Sequence, residues 1–320
     1  MSSEWKRAVS RVSAALTPST QRISLAEARA ATLIRELDKG DNHFRVLETV
    51  PHGSLARGTA IAGFDDIDLL LVLSPSTLRT KAGTQRKPNT TIASLARWLE
   101  ARRKGHVIQG VVRVRKQNHS VGVIYPNRNL RVDLVPALRA RGGRYRIPAR
   151  SDDEWILTRP RATQEAFERV LRRQPAARAA IRLIKGWKRA RGKSKGFSLP
   201  SYAIEVYCSS EIESGTWRSA SQLARHFFED LASRPANRRL VLGNRDDGHS
   251  VVLMDPWSGE NLLAKNDHVS RKRLILAARK ALHEMDAART SASSGRAEAA
   301  TNRLARLFVG NKYMKSSRRR

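Results

Sequence analysis

The chain has 320 residues, of which 40% are hydrophobic and 28% are charged. This composition can form a buried core and excludes a wholly disordered protein. No apolar run approaches the roughly 20 residues that a membrane span needs. The single cysteine, Cys208, excludes an internal disulfide and a cysteine-based zinc site. These features predict a soluble, cytoplasmic protein with one large domain or two closely associated lobes.

The charge is strongly unbalanced, with 61 Lys and Arg against 29 Asp and Glu and a formal net charge of +32. A positive field of this size attracts polyanions such as nucleic acid, nucleotides or acidic membrane surfaces. The alternative is an arginine-rich sequence with a well-solvated surface, because arginine is spread along the whole chain.

The first half of the chain has the pattern of a mixed α/β lobe. Apolar residues at helical spacing predict helices over 4–17 and 24–38, the second beginning at a capping box of Ser24 and Glu27. A polar loop is expected over 74–91, a helix through 98–103, and a basic, glycine-containing linker over 139–148. Short apolar runs predict strands over 44–49, 66–73, 107–114, 120–124 and 130–135.

The second half of the chain has the pattern of a helical lobe. One hairpin is expected over 241–253, with its turn at 244–248. The chain ends in a short basic tail. Helices are predicted over 162–173, 176–191, 200–209, 219–233, 270–288 and 294–308.

Two aspartates lie at the start of the strand predicted over 66–73. Side chains alternate between the two faces of a strand, so Asp66 and Asp68 project on one face while Ile67 packs behind them. Two adjacent carboxylates repel each other and require a compensating cation. Oxygen ligands favour a hard divalent ion, and the pattern therefore predicts a Mg²⁺ or Mn²⁺ site.

A third carboxylate, Asp133, lies in the strand predicted over 130–135. If this strand is a neighbour of the first, Asp133 completes a site for two metal ions. Two ions about 4 Å apart stabilise the attacking and the leaving oxygen in phosphoryl transfer. The three aspartates are therefore the candidate metal ligands and catalytic residues.

Gly53 and Ser54 precede the aspartates and are candidate phosphate-binding residues. Glycine allows the backbone to approach a triphosphate closely, and a hydroxyl and backbone N–H groups at a turn into a helix can bind an anion. An ordinary P-loop is excluded at Gly192-Lys193-Ser194, because the position that requires glycine is Trp187.

These segments, in this order and spacing, resemble the signature of the DNA polymerase beta-like nucleotidyltransferases. That signature is a Gly-Ser turn, an Asp-hydrophobic-Asp strand about a dozen residues later, and a later single Asp. The resemblance implies an α+β fold, in which a nucleotidyltransferase lobe with a mixed sheet is followed by a helical C-terminal lobe. It also implies an active site in the cleft between the lobes.

The segments Leu183–Lys188 and Leu199–Glu205 resemble a helix pair of the 2′-5′-oligoadenylate synthetases and of the bacterial cGAS/DncV-like nucleotidyltransferases. The resemblance implies that Lys185 contacts the triphosphate, that Ser201 helps to hold phosphate or sugar, and that Tyr202 stacks on the base. The alternatives are that Tyr202 packs in the core and that Lys185 is one more solvated cation.

The Asp-Pro motif at Asp255 also resembles the synthetases, where the aspartate acts as a structural cap. The resemblance extends over roughly the whole chain. It implies N-terminal helices and a catalytic core over 1–150, an oligoadenylate synthetase-like helical lobe over 151–314, and the basic tail over 315–320.

The resemblance implies an enzyme that condenses NTPs into a cyclic di- or trinucleotide, or a short linear oligonucleotide, and releases pyrophosphate. The product would activate a separate effector protein during phage infection. The charge adds the expectation that RNA or DNA binds a basic surface and activates the enzyme.

Two alternatives remain at the level of the sequence. The first is an RNA-modifying transferase of the CCA-adding or terminal transferase type, which would use the positive charge to hold its RNA substrate. The second is a nucleic-acid-binding protein with vestigial catalytic residues, which the presence of all three aspartates disfavours.

Overall fold

The computed structural model describes residues 2–38, 44–79, 82–126, 130–149, 153–191, 196–233 and 252–310. Packing divides them into two compact units. The sheet unit contains residues 19–58 and 63–166, and the helical unit contains the described residues of 1–18, 59–62 and 167–320.

The sheet unit is built on a seven-stranded mixed sheet. The strands are β1 (Val46–His52), β2 (Asp66–Leu73), β3 (Arg113–Lys116), β4 (Val121–Tyr125), β5 (Leu130–Ala140), β6 (Arg144–Pro148) and β7 (Trp155–Thr158). The order is β1-β2-β5-β4-β3, and β6 pairs with β5 and β7. Strands β2 and β5 run parallel, and the other pairs of described strands are antiparallel.

Some of the helices belong to the sheet unit, and the others form the helical unit. They are α1 (Ser3–Leu16), α2 (Thr20–Asp38), α3 (Gly53–Ala56), α4 (Pro88–Lys104), α5 (Pro160–Arg173), α6 (Pro175–Ala190), α7 (Ser201–Ser214), α8 (Ala220–Ala232), α9 (His268–Ser293) and α10 (Ala297–Phe308). The mixed sheet and the helical C-terminal part confirm the predicted α+β class. No α-helix in the described part of the chain combines the length and the apolar character needed to cross a bilayer.

Strand β2 lies between β1 and β5, and its burial explains its sequence. From Leu69 to Leu73 every residue is buried, whereas Asp66 and Asp68 at its beginning are half-buried. A strand with neighbours on both edges and covered faces is apolar nearly throughout. The two carboxylates therefore lie at the point where the buried strand begins.

The N-terminal helix α1 belongs to the helical unit. Trp5, Ala8, Val12 and Leu16 recur at helical spacing and are buried in the same hydrophobic core as α6 to α10. The sheet unit, in turn, extends to residue 166. The packing units end at a different residue from the predicted division at residue 150, which stays a prediction. The predicted tail over 315–320 lies outside the described residues.

Three local predictions were wrong. Helix α2 begins at Thr20 rather than after Ser24, and the Ser19 hydroxyl caps it by accepting from Arg22 N at 3.2 Å. The predicted strand over 107–114 begins at Arg113. The predicted linker over 139–148 is the end of β5 and all of β6, because Gly142 and Gly143 adopt positive φ angles that close a tight hairpin. Most of the hairpin predicted over 241–253 lies outside the described residues.

Candidate active site

The parallel pairing of β2 with β5 brings the three aspartates together. Asp68 lies directly opposite Asp133, and Asp66 lies opposite Arg131 in the same register. Positions two apart in a strand share one face, and paired positions of neighbouring strands do so as well. The three carboxylates therefore project on one face of the sheet.

Arg131 bridges two of these carboxylates. Its Nε donates to Asp133 Oδ1 at 2.7 Å, and its Nη2 lies 3.5 Å from Asp66 Oδ2. Gln117 donates from Nε2 to the same Asp133 oxygen at 2.7 Å. A guanidinium thus supplies positive charge within the carboxylate cluster.

The electrostatics of the cluster indicate a shortage of positive charge. Burial, followed by repulsion from Asp66 and Asp133, raises the pKa of Asp68 to about 7, although Arg57 and Arg131 act in the opposite direction. The pKa of Asp66 is also raised, by burial and by Asp65, with Arg131 opposing. The guanidiniums of Arg57 and Arg131 therefore do not fully compensate the neighbouring carboxylates.

This donor set fits a hard divalent cation. Three carboxylates on one face supply the oxygen ligands that Mg²⁺ and Mn²⁺ prefer. The raised pKa of Asp68 reflects the burial and mutual repulsion of these carboxylates, which a divalent cation would relieve. Elsewhere in the described residues, the ligand atoms of Glu211, His226 and Asp230 all lie within 4.8 Å of one another. The three aspartates are more widely spaced than that.

Gly53 lies against Asp68 and has no room for a side chain. Strand β1 ends at His52, which pairs with Asp68, and Gly53 follows with a φ of +74°. A Cβ added to Gly53 would lie 1.8 Å from Asp68 Oδ2. The structure therefore brings Gly53, and with it the half-buried Ser54 of α3, to the aspartates.

A second glycine makes room on the same face. Gly122 of β4 lies opposite Asp133, and a Cβ there would lie 2.7 Å from Gln117 Nε2 and 3.1 Å from Asp133 Oδ1. Sequence reasoning missed Arg131, Gln117 and Gly122. Arg131 could have been found, because it lies two residues before Asp133 and so shares its face; the other two depend on long-range strand pairing that leaves no local signal.

Lys185 lies in the helical unit and is buried. Its Nζ contacts Glu205 Oε1 and donates to the carbonyl oxygen and hydroxyl of Thr59 at 3.1 and 3.2 Å. The side chains of Lys185 and Glu205 are 4% and 0% exposed. Lys185 is therefore not a solvated cation, and its predicted contact with triphosphate stays a prediction.

Helix α6 holds the segment 59–62, which we call the strap. In addition to the hydrogen bonds from Lys185, the strap accepts two from arginines of the same helix. Arg182 Nε donates to Ala60 O at 3.0 Å, and Arg189 donates to Ala62 O. Glycines with positive φ, Gly58 and Gly63, flank it in sequence. Along the chain, the strap joins the Gly53-Ser54 turn to the strand that carries Asp66 and Asp68.

Ser201 and Tyr202 begin α7 in the helical unit. Ser201 Oγ accepts from Lys188 Nζ at 2.9 Å, and Tyr202 donates its hydroxyl to Asp255 Oδ1 at 3.3 Å. Asp255 also accepts from Trp257 N at 3.1 Å, as its predicted role as a cap requires. The tyrosine ring is half-buried against the helical core. The predicted contacts of Ser201 and Tyr202 with nucleotide stay predictions.

A hydrogen-bonded cluster joins α7 and α8. His226 Nε2 lies 3.0 Å from Glu211 Oε2 and 3.5 Å from Asp230 Oδ2, and Tyr207 donates its hydroxyl to Asp230. The hydrogen bond to Glu211, and the charges of both carboxylates, raise the pKa of His226. The imidazole is thus held between two buried carboxyl groups. The polar groups of this cluster are hydrogen-bonded to one another.

Comparisons with known proteins identify the family of the chain. The domain described as "Second Messenger Oligonucleotide or Dinucleotide Synthetase domain" matches residues 6–170. The chain is 26% identical to a cyclic AMP-AMP-AMP synthase from Escherichia coli (strain MS 115-1) over 248 residues, which are 69% of this chain and 70% of the relative.

Two solved structures share the fold. CdnC from E. coli MS115-1 with ATP superposes with a TM-score of 0.73 at 20% identity, covering 95% of this chain and 97% of that chain. The Bradyrhizobium diazoefficiens CD-NTase CdnG in complex with GTP gives 0.69 at 14% identity, covering 94% and 98%. The chain therefore belongs to the second messenger oligonucleotide or dinucleotide synthetases, the bacterial cGAS/DncV-like nucleotidyltransferases.

Proposed function

We propose that the protein condenses NTPs into a cyclic oligonucleotide, at a two-metal site formed by Asp66, Asp68 and Asp133. The observation that carries this proposal is the in-register pairing of Asp68 with Asp133 on parallel strands, with Asp66 two residues away on the same face. Membership of the synthetase family supports the reaction class.

The three carboxylates are the residues that would hold Mg²⁺ or Mn²⁺. When bound, two such ions would neutralise triphosphate charge and favour deprotonation of the attacking hydroxyl. Arg131, which bridges Asp66 and Asp133, keeps these side chains oriented toward the common face. Gly53 allows the Asp68 carboxylate to lie directly against the backbone, and the Ser54 hydroxyl and the backbone N–H groups of this turn would donate to triphosphate.

Residues of the helical unit would bind the remainder of the nucleotide. The hydroxyl of Ser201 would hold phosphate or sugar, and the ring of Tyr202 would stack on a base. ATP is the substrate that we propose first, because the curated relative is named as a cyclic AMP-AMP-AMP synthase. A cyclic dinucleotide or a short linear oligonucleotide would be alternative products of the same chemistry.

The product would act as a second messenger for a separate effector protein in antiphage defence. The net charge of +32 supports a further element, in which RNA or DNA binds a basic surface and raises the rate of synthesis. Such binding would weaken steeply as salt rises, because it releases counterions from the nucleic acid.

The test is incubation of the purified protein with all four labelled NTPs and Mg²⁺ or Mn²⁺, with and without RNA or double-stranded DNA. The Asp66→Ala/Asp68→Ala variant should form no product. Asp65→Ala is the matched control, because Asp65 is exposed and precedes the pair by one residue. Phosphatase-resistant small products that need Asp66 and Asp68 but not Asp65 would support the proposal.

Two other outcomes would overturn parts of it. Label found only on the added RNA would instead indicate an RNA-modifying transferase of the CCA-adding or terminal transferase type. Synthesis that is unchanged by nucleic acid at low salt would remove the activation step but leave the reaction in place.

A further inference from the structure

The helical unit contains a pocket of about 580 Å³ with a cationic lining. Its positive side chains come from three helices. Arg191 follows the last residue of α6, one pair belongs to α9 and another to α10. The lining cations are Arg191, Arg273, Lys280, Arg303 and Arg306.

The pocket is short of negative charge. Glu284 is the single carboxylate among the described residues of its lining, and its Oε2 lies 3.3 Å from Arg303 Nη1. Among the described residues, no carboxylate oxygen lies within 4.0 Å of the other four cations. Like charges held together repel one another, and an anionic ligand would remove that repulsion.

Two of the arginines contact other parts of the helical unit, Arg191 as a half-buried side chain and Arg273 as an exposed one. The Arg191 guanidinium lies 5.6 Å from the centre of the Trp187 ring, and partial burial lowers its pKa. Arg273 lies so close over Gly196 that a Cβ there would be 2.2 Å from its Nη1. Side chains positioned in this way lose less freedom when they bind a ligand than mobile surface cations do.

We propose that this pocket binds the phosphate groups of a nucleotide, supplied either as free NTP or as a short oligonucleotide. Guanidinium groups match phosphate oxygens through paired N–H donors. Phe197 and Leu307 add apolar surface to the same lining, which a base or sugar can contact. The volume lies within the range of small-molecule sites, roughly 300–1,000 Å³.

A compact ligand fits this pocket better than a long duplex does. The cations line a concavity to which the ends and faces of three helices contribute; Arg191 and Arg303 are half-buried in it, and Arg273, Lys280 and Arg306 are exposed. A duplex would contact raised cations along an extended surface. The site is independent of the proposed reaction, because none of its lining residues belongs to the aspartate cluster or to the residues assigned to nucleotide transfer.

The test compares two charge reversals on the same helix. Arg273→Glu/Lys280→Glu alters the pocket, whereas Lys272→Glu/Arg279→Glu changes the net charge equally at exposed α9 positions outside it. Both pairs are made in the Asp66→Ala/Asp68→Ala background, so that no nucleotide is consumed. Calorimetry with ATP and with linear triadenylate in EDTA at physiological salt gives the affinities, and melting curves establish folding.

We expect the pocket pair to weaken binding at least about tenfold and the control pair to change it less than about twofold. A loss with ATP identifies a free nucleotide as the ligand, and a loss with triadenylate alone identifies an oligonucleotide. Equal losses in both pairs, or binding of long duplex nucleic acid only, would overturn the proposal. If the charge-reversed pocket variant does not fold, the same comparison is made with neutral substitutions. The pocket variant is then Arg273→Gln/Lys280→Gln, and the control is Lys272→Gln/Arg279→Gln.

Discussion

Lys185 and Glu205 form an ion pair inside the helical unit, with 4% and 0% of their side chains exposed. The pair is completed by Thr59, whose hydroxyl donates to the same Glu205 oxygen that Lys185 contacts. Burying two charges is tolerated only when their hydrogen-bonding capacity is satisfied. This relationship ties helices α6 and α7 to the strap over 59–62.

Replacing Lys185 by Met should destabilise the protein by about 3–5 kcal/mol, because it leaves the buried Glu205 carboxylate without its cation. Chemical denaturation measures this loss. Lys188→Met is the matched control, since Lys188 lies on the same helix but donates to Ser201 at its partly exposed position. A Lys185→Met variant with unchanged stability and a raised KM for ATP would show instead that Lys185 acts mainly on triphosphate.

Replacing Gly53 by Ala should reduce both stability and activity. The φ of +74° costs an alanine about 1–2 kcal/mol, and the added Cβ would also displace the Asp68 carboxylate. Gly83→Ala separates the two effects, because Gly83 has a φ of +79° and open space around its Cβ position. We expect a comparable backbone cost in both variants and a loss of turnover in Gly53→Ala alone; equal turnover would contradict the close approach.

In metal-free solution, Asp68→Asn should raise the melting temperature at alkaline pH. The folded pKa of about 7 exceeds the unfolded value of about 3.9, so ionising Asp68 costs stability as pH rises between these values and fully above them. The variant should therefore melt at least about 2 °C above the parent at pH 8 in EDTA, and the gap should shrink toward pH 4. A difference in melting temperature between Asp68→Asn and the parent that stays constant from pH 4 to pH 8 would refute the raised pKa of Asp68. Asp65→Asn is the control.

His226→Gln should lose stability mainly at acidic pH. Glu211 and Asp230 raise the folded pKa of His226 above its usual value of about 6.5, so the charged contact stabilises the protein below that value. The contribution disappears as pH rises through the folded pKa. We expect a melting difference from the parent of about 2 °C at pH 5.5 and a smaller one at pH 9. As a control, replacing the exposed His283 of α9 by Gln should change the melting temperature at neither pH. A melting difference between His226→Gln and the parent that grows as pH rises would contradict the proposed charge contact.

The sequence by itself determined the reaction class and most of the elements that carry it. Strand alternation placed Asp66 and Asp68 on one face, and the Gly53-Ser54 spacing completed a recognisable signature. These signals are local, because they depend on period-two alternation and on the backbone freedom of glycine. The same local rules applied to Arg131 would have placed it beside Asp133.

Only the tertiary structure decided which groups meet. The parallel register of β2 with β5 sets Asp133 against Asp68, and no residue of either strand specifies that register alone. The burial of Lys185 depends on Glu205, twenty positions away, and on Thr59, far earlier in the chain. Helix α1 joined the helical unit because its apolar face fits a core built from residues beyond 167. Such contacts depend on complementary surfaces distant in sequence, and for this reason spacing and composition predicted the chemistry but not the partners of its side chains.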